Sequence, residues 1–254
     1  MSGRDLEGRA VLVTGGSRGI GRAIVAAALA RGADVAYCSR DGAFDEALAA
    51  DAASGSTGGR LVALRADVSR EADVEAFFDG SLSALGRVDA VVSNAGISRE
   101  ELLVSCLTET WDELLATNLT GAFLVSRRAV RELVARGGGS LVFMGSLQQY
   151  GSPRGASAYA AGKGGVTGLM QAIAWEHGTD GVRANQVAAG YVDTEMTTHL
   201  PEFARTRFVE ASPLKRLPTT EEIASLVLFL CSARSAGING QTLHAAGGIR
   251  EMFL

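Results

Sequence analysis

The chain of 254 residues has few cysteines, prolines and aromatic side chains and no surplus of positive charge, and each shortage excludes something. Its three cysteines, Cys38, Cys106 and Cys231, are scattered, and none stands at metal-ligand spacing from another or from the three histidines. A disulfide framework and a zinc site are therefore not expected, and neither is any other metal. Four prolines rule out Pro-rich low-complexity structure. A net charge of −4 offers nothing to neutralise phosphates, so nucleic acid is not an expected partner. The longest apolar stretches, such as Leu226 to Cys231, are too short to span a bilayer, and Met1 to Arg9 lacks the apolar core of a secretory signal. No membrane association is expected, and the expected location is the cytoplasm. With 47% apolar and 20% charged residues, the chain has the composition of a folded domain.

What is present is an alternation of short apolar, β-branched runs with Ala/Leu-rich helical segments. Strands are expected at Ala10–Val13, Asp34–Cys38, Arg60–Ala66, Val88–Ser93, Ser140–Met144, Val182–Val187 and Thr242–His244. Helices are expected at 19–31, 44–53, 70–85, 110–136, 156–178 and 220–232. Near-continuous apolar strands separated by helices specify an α/β fold, a Rossmann-like doubly wound parallel sheet of about seven strands with helices on both faces. No repeat or long linker divides residues 1–254, and Ser54–Gly59 is a polar loop rather than a hinge. The stretch 194–218 carries Pro201, Pro213 and Pro218 and interrupts the alternation; it is either a substrate lid or a plain surface excursion.

Thr14-Gly15-Gly16-Ser17-Arg18-Gly19-Ile20-Gly21 follows the first strand and opens the first helix. Glycines let the backbone approach a pyrophosphate, and the helix terminus offers free N–H groups to it. The second strand ends in Ser39-Arg40 with no carboxylate before Asp41. Arg18 and Arg40 thus favour a ribose 2′-phosphate, and NADP(H), although Asp41 is placed to neutralise Arg40. Asp67-Val68 and Asn94-Ala95-Gly96 close the third and fourth strands where ligands of such sheets lie. Asp67 is a candidate contact to adenine, and Asn94 a candidate cap for the broken strand edge; each is also an ordinary turn residue.

Tyr159 and Lys163 stand four apart in the first turns of a helix, on one face. The chain has only two lysines, so Lys163 is not a casual solubilising charge. An ammonium beside a phenol lowers the phenol pKa toward working pH, which suits it to proton transfer with an alcohol or alkoxide. Ser146, ending the fifth strand, can polarise a carbonyl. Asn118, within the expected long helix, is costly there without a partner.

The glycine loop Thr14–Gly21, Asn94-Ala95-Gly96, and Asn118, Ser146, Tyr159 and Lys163 in this order and spacing resemble the short-chain dehydrogenase/reductase family over essentially the whole chain. The resemblance implies that Tyr159 is the general acid/base and that Lys163 lowers its pKa while binding the nicotinamide ribose. It implies that Ser146 orients the substrate carbonyl and that Asn118 holds a water in a proton relay. It implies further that Val192 and Thr194, in Gly190–Thr194, fix the carboxamide, and that the chain is a homotetramer built through helices 110–136 and 156–178. The proline usual before Gly190 is Ala189 here, which loosens one φ angle, and the first asparagine of the usual N-N-A-G is Ser93.

Within the family the likeness is greatest to 3-oxoacyl-[acyl carrier protein] reductases and polyketide ketoreductases. It implies an NADPH-dependent ketoreductase acting on a small-molecule ketone, with an acidic acyl carrier protein as a candidate presenter. Arg127, Arg128, Arg131 and Arg136 would give the carrier a basic face, or are a solvated or oligomer-facing helix surface. Trp175 stands where an arginine is usual, which speaks against simple carrier docking. Gln148, Gln149, Tyr150 and Tyr191 are expected to line the substrate mouth. A dehydrogenase of a free secondary alcohol shares the same catalytic set and remains the alternative; a nucleotide-binding protein without catalysis usually lacks Tyr or Lys of the pair.

Overall fold

A computed structural model describes residues 4–42, 45–53, 59–194 and 202–250. Seven strands, β1 (Ala10–Thr14), β2 (Asp34–Ser39), β3 (Leu61–Arg65), β4 (Ala90–Ser93), β5 (Gly139–Ser146), β6 (Val182–Ala189) and β7 (Thr242–Ala245), form one sheet. Every pairing is parallel, in the order β3-β2-β1-β4-β5-β6-β7. The helices are α1 (Gly19–Ala30), α2 (Glu46–Ala53), α3 (Glu71–Leu85), α4 (Thr108–Leu115), α5 (Gly121–Ala135), α6 (Ser157–Glu176), α7 (Glu202–Ala211) and α8 (Thr220–Cys231). The chain is a single Rossmann-like domain.

Alternation of side chains along each strand sends successive residues to opposite faces, and both faces are dry. On one side Leu12, Leu141 and Phe143 pack with Val74, Phe77 and Phe78 of α3, Val125 and Leu133 of α5, and Val166 and Met170 of α6. On the other, Val11, Val13, Val35 and Val142 meet Ile24 and Leu29 of α1 and Ile223 and Val227 of α8. Each such side chain contributes about 1.5–3 kcal/mol of burial, which is why the strands lack the polar half of an amphipathic pattern. Cys38 and Cys231 lie in these cores, and burial pushes both thiols up to about 12.

Strand order reverses between β1 and β4, opening a crevice at the carboxyl ends of the strands. The seven strands fall within two residues of their expected limits, and β5 and β6 run two residues further, to Ser146 and Ala189. Ala189 is paired with Ser146 on one side and Ala245 on the other, so the ladder constrains a residue that proline would otherwise stiffen.

Two elements differ from the sequence expectation. The helix expected at 110–136 is interrupted: five residues, Ala116–Thr120, form a π-helical turn between α4 and α5. The insertion after β6 contains α7, anchored by Phe208, which packs with Leu147, Ala188 and Ala246 above the carboxyl edge of the sheet. Residues 195–201 of that insertion, and most of the Ser54–Gly59 loop, lie outside the described residues. Among the described residues no helix is long and apolar enough to cross a membrane, and no group of three or more His, Cys, Asp or Glu side chains could hold a metal.

Candidate active site

The glycine loop turns from β1 into α1 at the crevice. Gly15 and Gly19 both take positive φ, +67° and +53°. Helix α1 begins without a side-chain cap and without an acidic residue in its first turn, so its N–H groups and dipole face an anion unopposed. Asn94 braces this loop from β4: Nδ2 donates to Thr14 O at 2.9 Å and to Gly15 O at 3.0 Å. The Thr14 hydroxyl accepts the N–H groups of Asn94 (3.0 Å) and Ala95 (3.1 Å), closing the junction of β1 and β4. A Cβ on Gly21 would stand 2.0 Å from Gly15 O and 2.6 Å from Asn94 Nδ2. Gly21→Ala is therefore expected to break the clasp, weakening nucleotide binding at least tenfold and costing about 1–3 kcal/mol of stability. Fluorescence titration and thermal unfolding read both.

At the end of β2, Ser39 is buried with an Oγ that has no partner among the described residues, beside Arg40. Burial alone would raise the Asp67 carboxyl; hydrogen bonds from the Ser69 hydroxyl (2.7 Å) and N–H (3.0 Å), with the charges of Arg40 and Arg70, hold it below its usual value. Val68 is buried beside it and packs against Gly121. Val192 is buried, and the Thr194 side chain sits 3.7 Å from a Cβ built on Gly19. The loop after β6 thus closes over the amino end of α1, where Ser17, Arg18 and Ile20 lie. An uncapped helix end, a glycine cradle, a buried unpaired hydroxyl at the end of β2 and a facing threonine fit a dinucleotide.

Ser146, Tyr159 and Lys163 converge at the carboxyl end of β5. Tyr159 lies in the first turn of α6 and Lys163 one turn later. The Ser146 side chain lies close enough to the half-buried Tyr159 phenol to favour its ionised form. Lys163 is buried, its Nζ donating to Met144 O at 2.7 Å and standing 5.7 Å from the Tyr159 ring centre. An ammonium has three N–H donors, so Lys163 keeps two for ligand hydroxyls. Burial dominates both titrations. It pushes the Tyr159 phenol up to about 12, with Ser146 opposing the rise and Tyr191 adding to it, and it brings Lys163 down to about 8. Desolvation, and not the lysine neighbour, sets the direction of the Tyr159 shift, opposite to the lowering expected from the sequence.

Asn118 sits in the π-helical turn, not in a regular helix. Its Oδ1 accepts the Ile97 N–H and its Nδ2 donates to Ile97 O, both at 2.9 Å, fixing the segment after Gly96 against the π-helical turn. A Cβ on Gly96 would lie 3.0 Å from Asn118 Oδ1 and 3.5 Å from Lys163 Nζ, so these two side chains crowd the same backbone.

The expected substrate-lining residues divide. The Gln148 side chain lies beside the Tyr191 phenol, whose ring centre stands 3.7 Å from that of Phe208 on α7. Gln148 Oε1 is buried without a partner among the described residues. Tyr150 is exposed at the rim with its ring 5.0 Å from His244. Gln149 does not line the mouth: its amide turns into the fold and bonds the Ser146 N–H and Gln186. Sequence reasoning also missed Ile97, Thr167 and Gln186; an amide within the apolar run of β6 was the one signal for the last.

The arginines of α5 are largely committed. Arg127 pairs with Glu71 of α3, Arg128 with Glu75 (2.8 Å), Asp79 (2.9 Å) and Glu132, and Arg136 with Asp89 (2.8 Å). These contacts spend on α3 much of the charge expected to face a carrier. Trp175 is 89% exposed on the last turns of α6.

A family model described as Enoyl-(Acyl carrier protein) reductase matches residues 15–250. The chain is 36% identical to the 3-oxoacyl-[acyl-carrier-protein] reductase of Escherichia coli K12, across 96% of this chain and 98% of that one. It is 37% identical to the enzyme of the same name from Vibrio cholerae, with the same coverage. Among solved structures, levodione reductase superposes with a TM-score of 0.90 at 31% identity, over 96% of this chain and 98% of that one. A short-chain type dehydrogenase/reductase from Mycobacterium marinum gives 0.90 at 32%, over 96% of each. With this match over nearly its full length, the chain belongs to the short-chain dehydrogenase/reductase family, and it is an oxidoreductase acting between C=O and CH–OH.

Proposed function

We propose that the protein is an NADPH-dependent ketoreductase that reduces the 3-oxo group of an acyl thioester. The observation that carries this reading is the convergence of a half-buried Tyr159, its phenol pushed up to about 12 by desolvation, with Ser146 and Lys163 at the carboxyl end of β5. A phenol that keeps its proton at physiological pH is a general acid, and reduction of a ketone needs one for the oxygen. The nicotinamide nucleotide supplies the hydride. Ser146 donates to the carbonyl oxygen and orients it, and Tyr159 delivers its proton to that oxygen as negative charge develops there. The Lys163 ammonium stabilises the phenolate left behind and holds ribose hydroxyls with its free N–H groups. Asn118 keeps the segment at Gly96 and Ile97 in register with that ammonium, placing it for the proton relay. Val192 and Thr194 hold the carboxamide; Gln148, Tyr150 and Tyr191 form the substrate mouth. The insertion 194–218 acts as a lid, with the Asp193–Arg205 ion pair (2.7 Å) tying its helix α7 to the nicotinamide loop.

Preference for NADP(H) rests on Arg18, Arg40 and the buried Ser39 hydroxyl, which together suit a 2′-phosphate. A charge-assisted contact of this kind contributes roughly 1.5–3 kcal/mol, so Arg40→Asp is expected to raise KM for NADPH by about tenfold or more and to leave KM for NADH unchanged or lower. Steady-state titration of both nucleotides checks it; equal KM values for NADPH in the two proteins contradict it. Assembly as a homotetramer is supported by exposed Phe123 and Val134 on α5 and Trp175 on α6.

A second reading, a dehydrogenase of a free secondary alcohol, is favoured by the ion pairs that occupy Arg127, Arg128 and Arg136 and by the exposed Trp175, which reduce the basic surface offered to an acidic carrier. Comparing kcat/KM for acetoacetyl thioesters with that for free ketones separates the two. A preference of tenfold or more for the thioester supports the first reading, and a preference for the free ketone replaces it with the second.

A further inference from the structure

Gln149 follows Ser146 by three residues, and its amide lies beneath the end of β5. Oε1 accepts the Ser146 backbone N–H at 3.3 Å, and the Ser146 hydroxyl accepts the Gln148 N–H at 3.2 Å. At its other end Gln149 Nε2 donates to Gln186 Oε1 at 2.9 Å. That oxygen, fully buried on β6, also accepts the hydroxyls of Thr167 and Thr242, each at 3.1 Å. Thr167 stands one turn beyond Lys163 on α6, so a continuous chain of hydrogen bonds runs from Ser146 to the helix that carries Tyr159 and Lys163. The fold gives up two things for it. Gln186 Nε2 is buried without a partner among the described residues. Position 145 must also be glycine, because a Cβ there would stand 2.6 Å from Gln186 Cδ and Nε2 and 2.9 Å from Gln149 Oε1.

We propose that Gln149 is a positioning residue that acts through Ser146. Because the Gln148 N–H occupies one lone pair of the Ser146 oxygen, the hydroxyl hydrogen is left for the carbonyl oxygen. Gln149 fixes the backbone from which that hydroxyl projects, and Gln186 ties it to α6, so the distance between the Ser146 and Tyr159 hydroxyls does not depend on the strand ladder alone. Misplacement by a fraction of an ångström lowers the rate without removing a reacting group. This inference rests on the assignment of Ser146 and Tyr159 above.

The test is a double-mutant cycle with Gln149→Met, which keeps the volume and removes both hydrogen bonds, and Ser146→Ala. Gln149→Met alone is expected to lower kcat about tenfold, with KM for NADPH and Tm little changed. In the Ser146→Ala background the same replacement is expected to change kcat less than about twofold, because the group it positions is gone. Hydrogen exchange at the Ser146 amide is expected to accelerate about tenfold in Gln149→Met, and this readout needs no turnover. An undiminished kcat, a loss of equal size in both backgrounds, or unaltered exchange overturns the proposal. If Gln149→Met does not fold, Thr167→Val carries the same cycle, and an equal loss in both backgrounds there overturns it as well. A wild-type protein that reduces free ketones but not thioesters defeats the substrate reading, while the cycle is then read on those ketones. Absence of any turnover defeats the assignment of the hydroxyl pair, and amide exchange then decides whether Gln149 holds Ser146.

Discussion

Tyr159→Phe is expected to reduce ketone turnover by about 10²–10⁴-fold, the range for loss of a positioned proton donor, while NADPH binding changes by less than about twofold. The ring still fills its half-buried place on α6, and the glycine loop, Asn94 clasp and Lys163 amine are untouched. Only the phenolic hydroxyl beside Ser146 is lost. The pH profile of the wild-type reaction follows from the same geometry. With the phenol pushed up to about 12, Tyr159 stays protonated through the working range, so the descending limb belongs to Lys163. Its ammonium is present below about 8 and is lost as pH rises through that value, and reduction is expected to slow accordingly. A limb placed near the unperturbed lysine value would mean that burial does not control this group.

Lys163→Met is expected to move activity and stability in opposite directions. Turnover falls by two orders of magnitude or more, since the phenolate loses its counter-charge and the nucleotide loses a ribose contact. Stability rises. Burial lowers the lysine from 10.5 to about 8, so the unfolded chain binds that proton more tightly than the folded one. Below pH 8 the charge therefore costs the fold roughly 3 kcal/mol, at 1.36 kcal/mol per pKa unit. Methionine removes the charge and keeps the volume, while leaving Met144 O without its 2.7 Å donor, which returns about 1–2 kcal/mol. The net gain of about 1–2 kcal/mol corresponds to a Tm higher by roughly 2–8 °C. The sign fixes the pH dependence: the wild-type penalty is fully present below pH 8 and disappears as pH rises toward 10.5. The difference in Tm is thus expected to shrink across that window. A variant less stable than wild type at pH 7 contradicts this account of the buried ammonium.

The parts of the site that depend on short-range spacing were legible in the sequence. Tyr159 and Lys163 share a helix face because they stand four apart, and the glycine loop is recognisable between a strand and a helix. The strands were legible because residues buried on both faces leave continuous apolar runs. What escaped depends on partners distant in the chain. The helical pattern of 110–136 continues through Ala116–Thr120, and only the bonds of Asn118 to Ile97, twenty-one residues earlier, mark where it changes pitch. Arg127 and Arg128 read as a basic face because Glu71, Glu75 and Asp79, which neutralise them, lie on α3 some fifty residues before. Gln148 and Gln149 are neighbours of one type, and nothing local says that one meets Tyr191 while the other turns inward to Gln186. Helix α7 was hidden among three prolines that suggested a loop, although Phe208 anchors it to the sheet edge.

On the proposed reading the Tyr159 phenol, placed beside Ser146, would give its proton to a thioester-linked ketone that takes its hydride from NADPH. Mixing the wild-type protein with NADPH and an acetoacetyl thioester, and following nucleotide oxidation together with the 3-hydroxyacyl product, tests it most directly. One 3-hydroxyacyl product per NADPH oxidised, with NADH a much poorer donor, is the expected result. Tight NADPH binding with no nucleotide oxidised, or oxidation that runs faster with NADH, would contradict it.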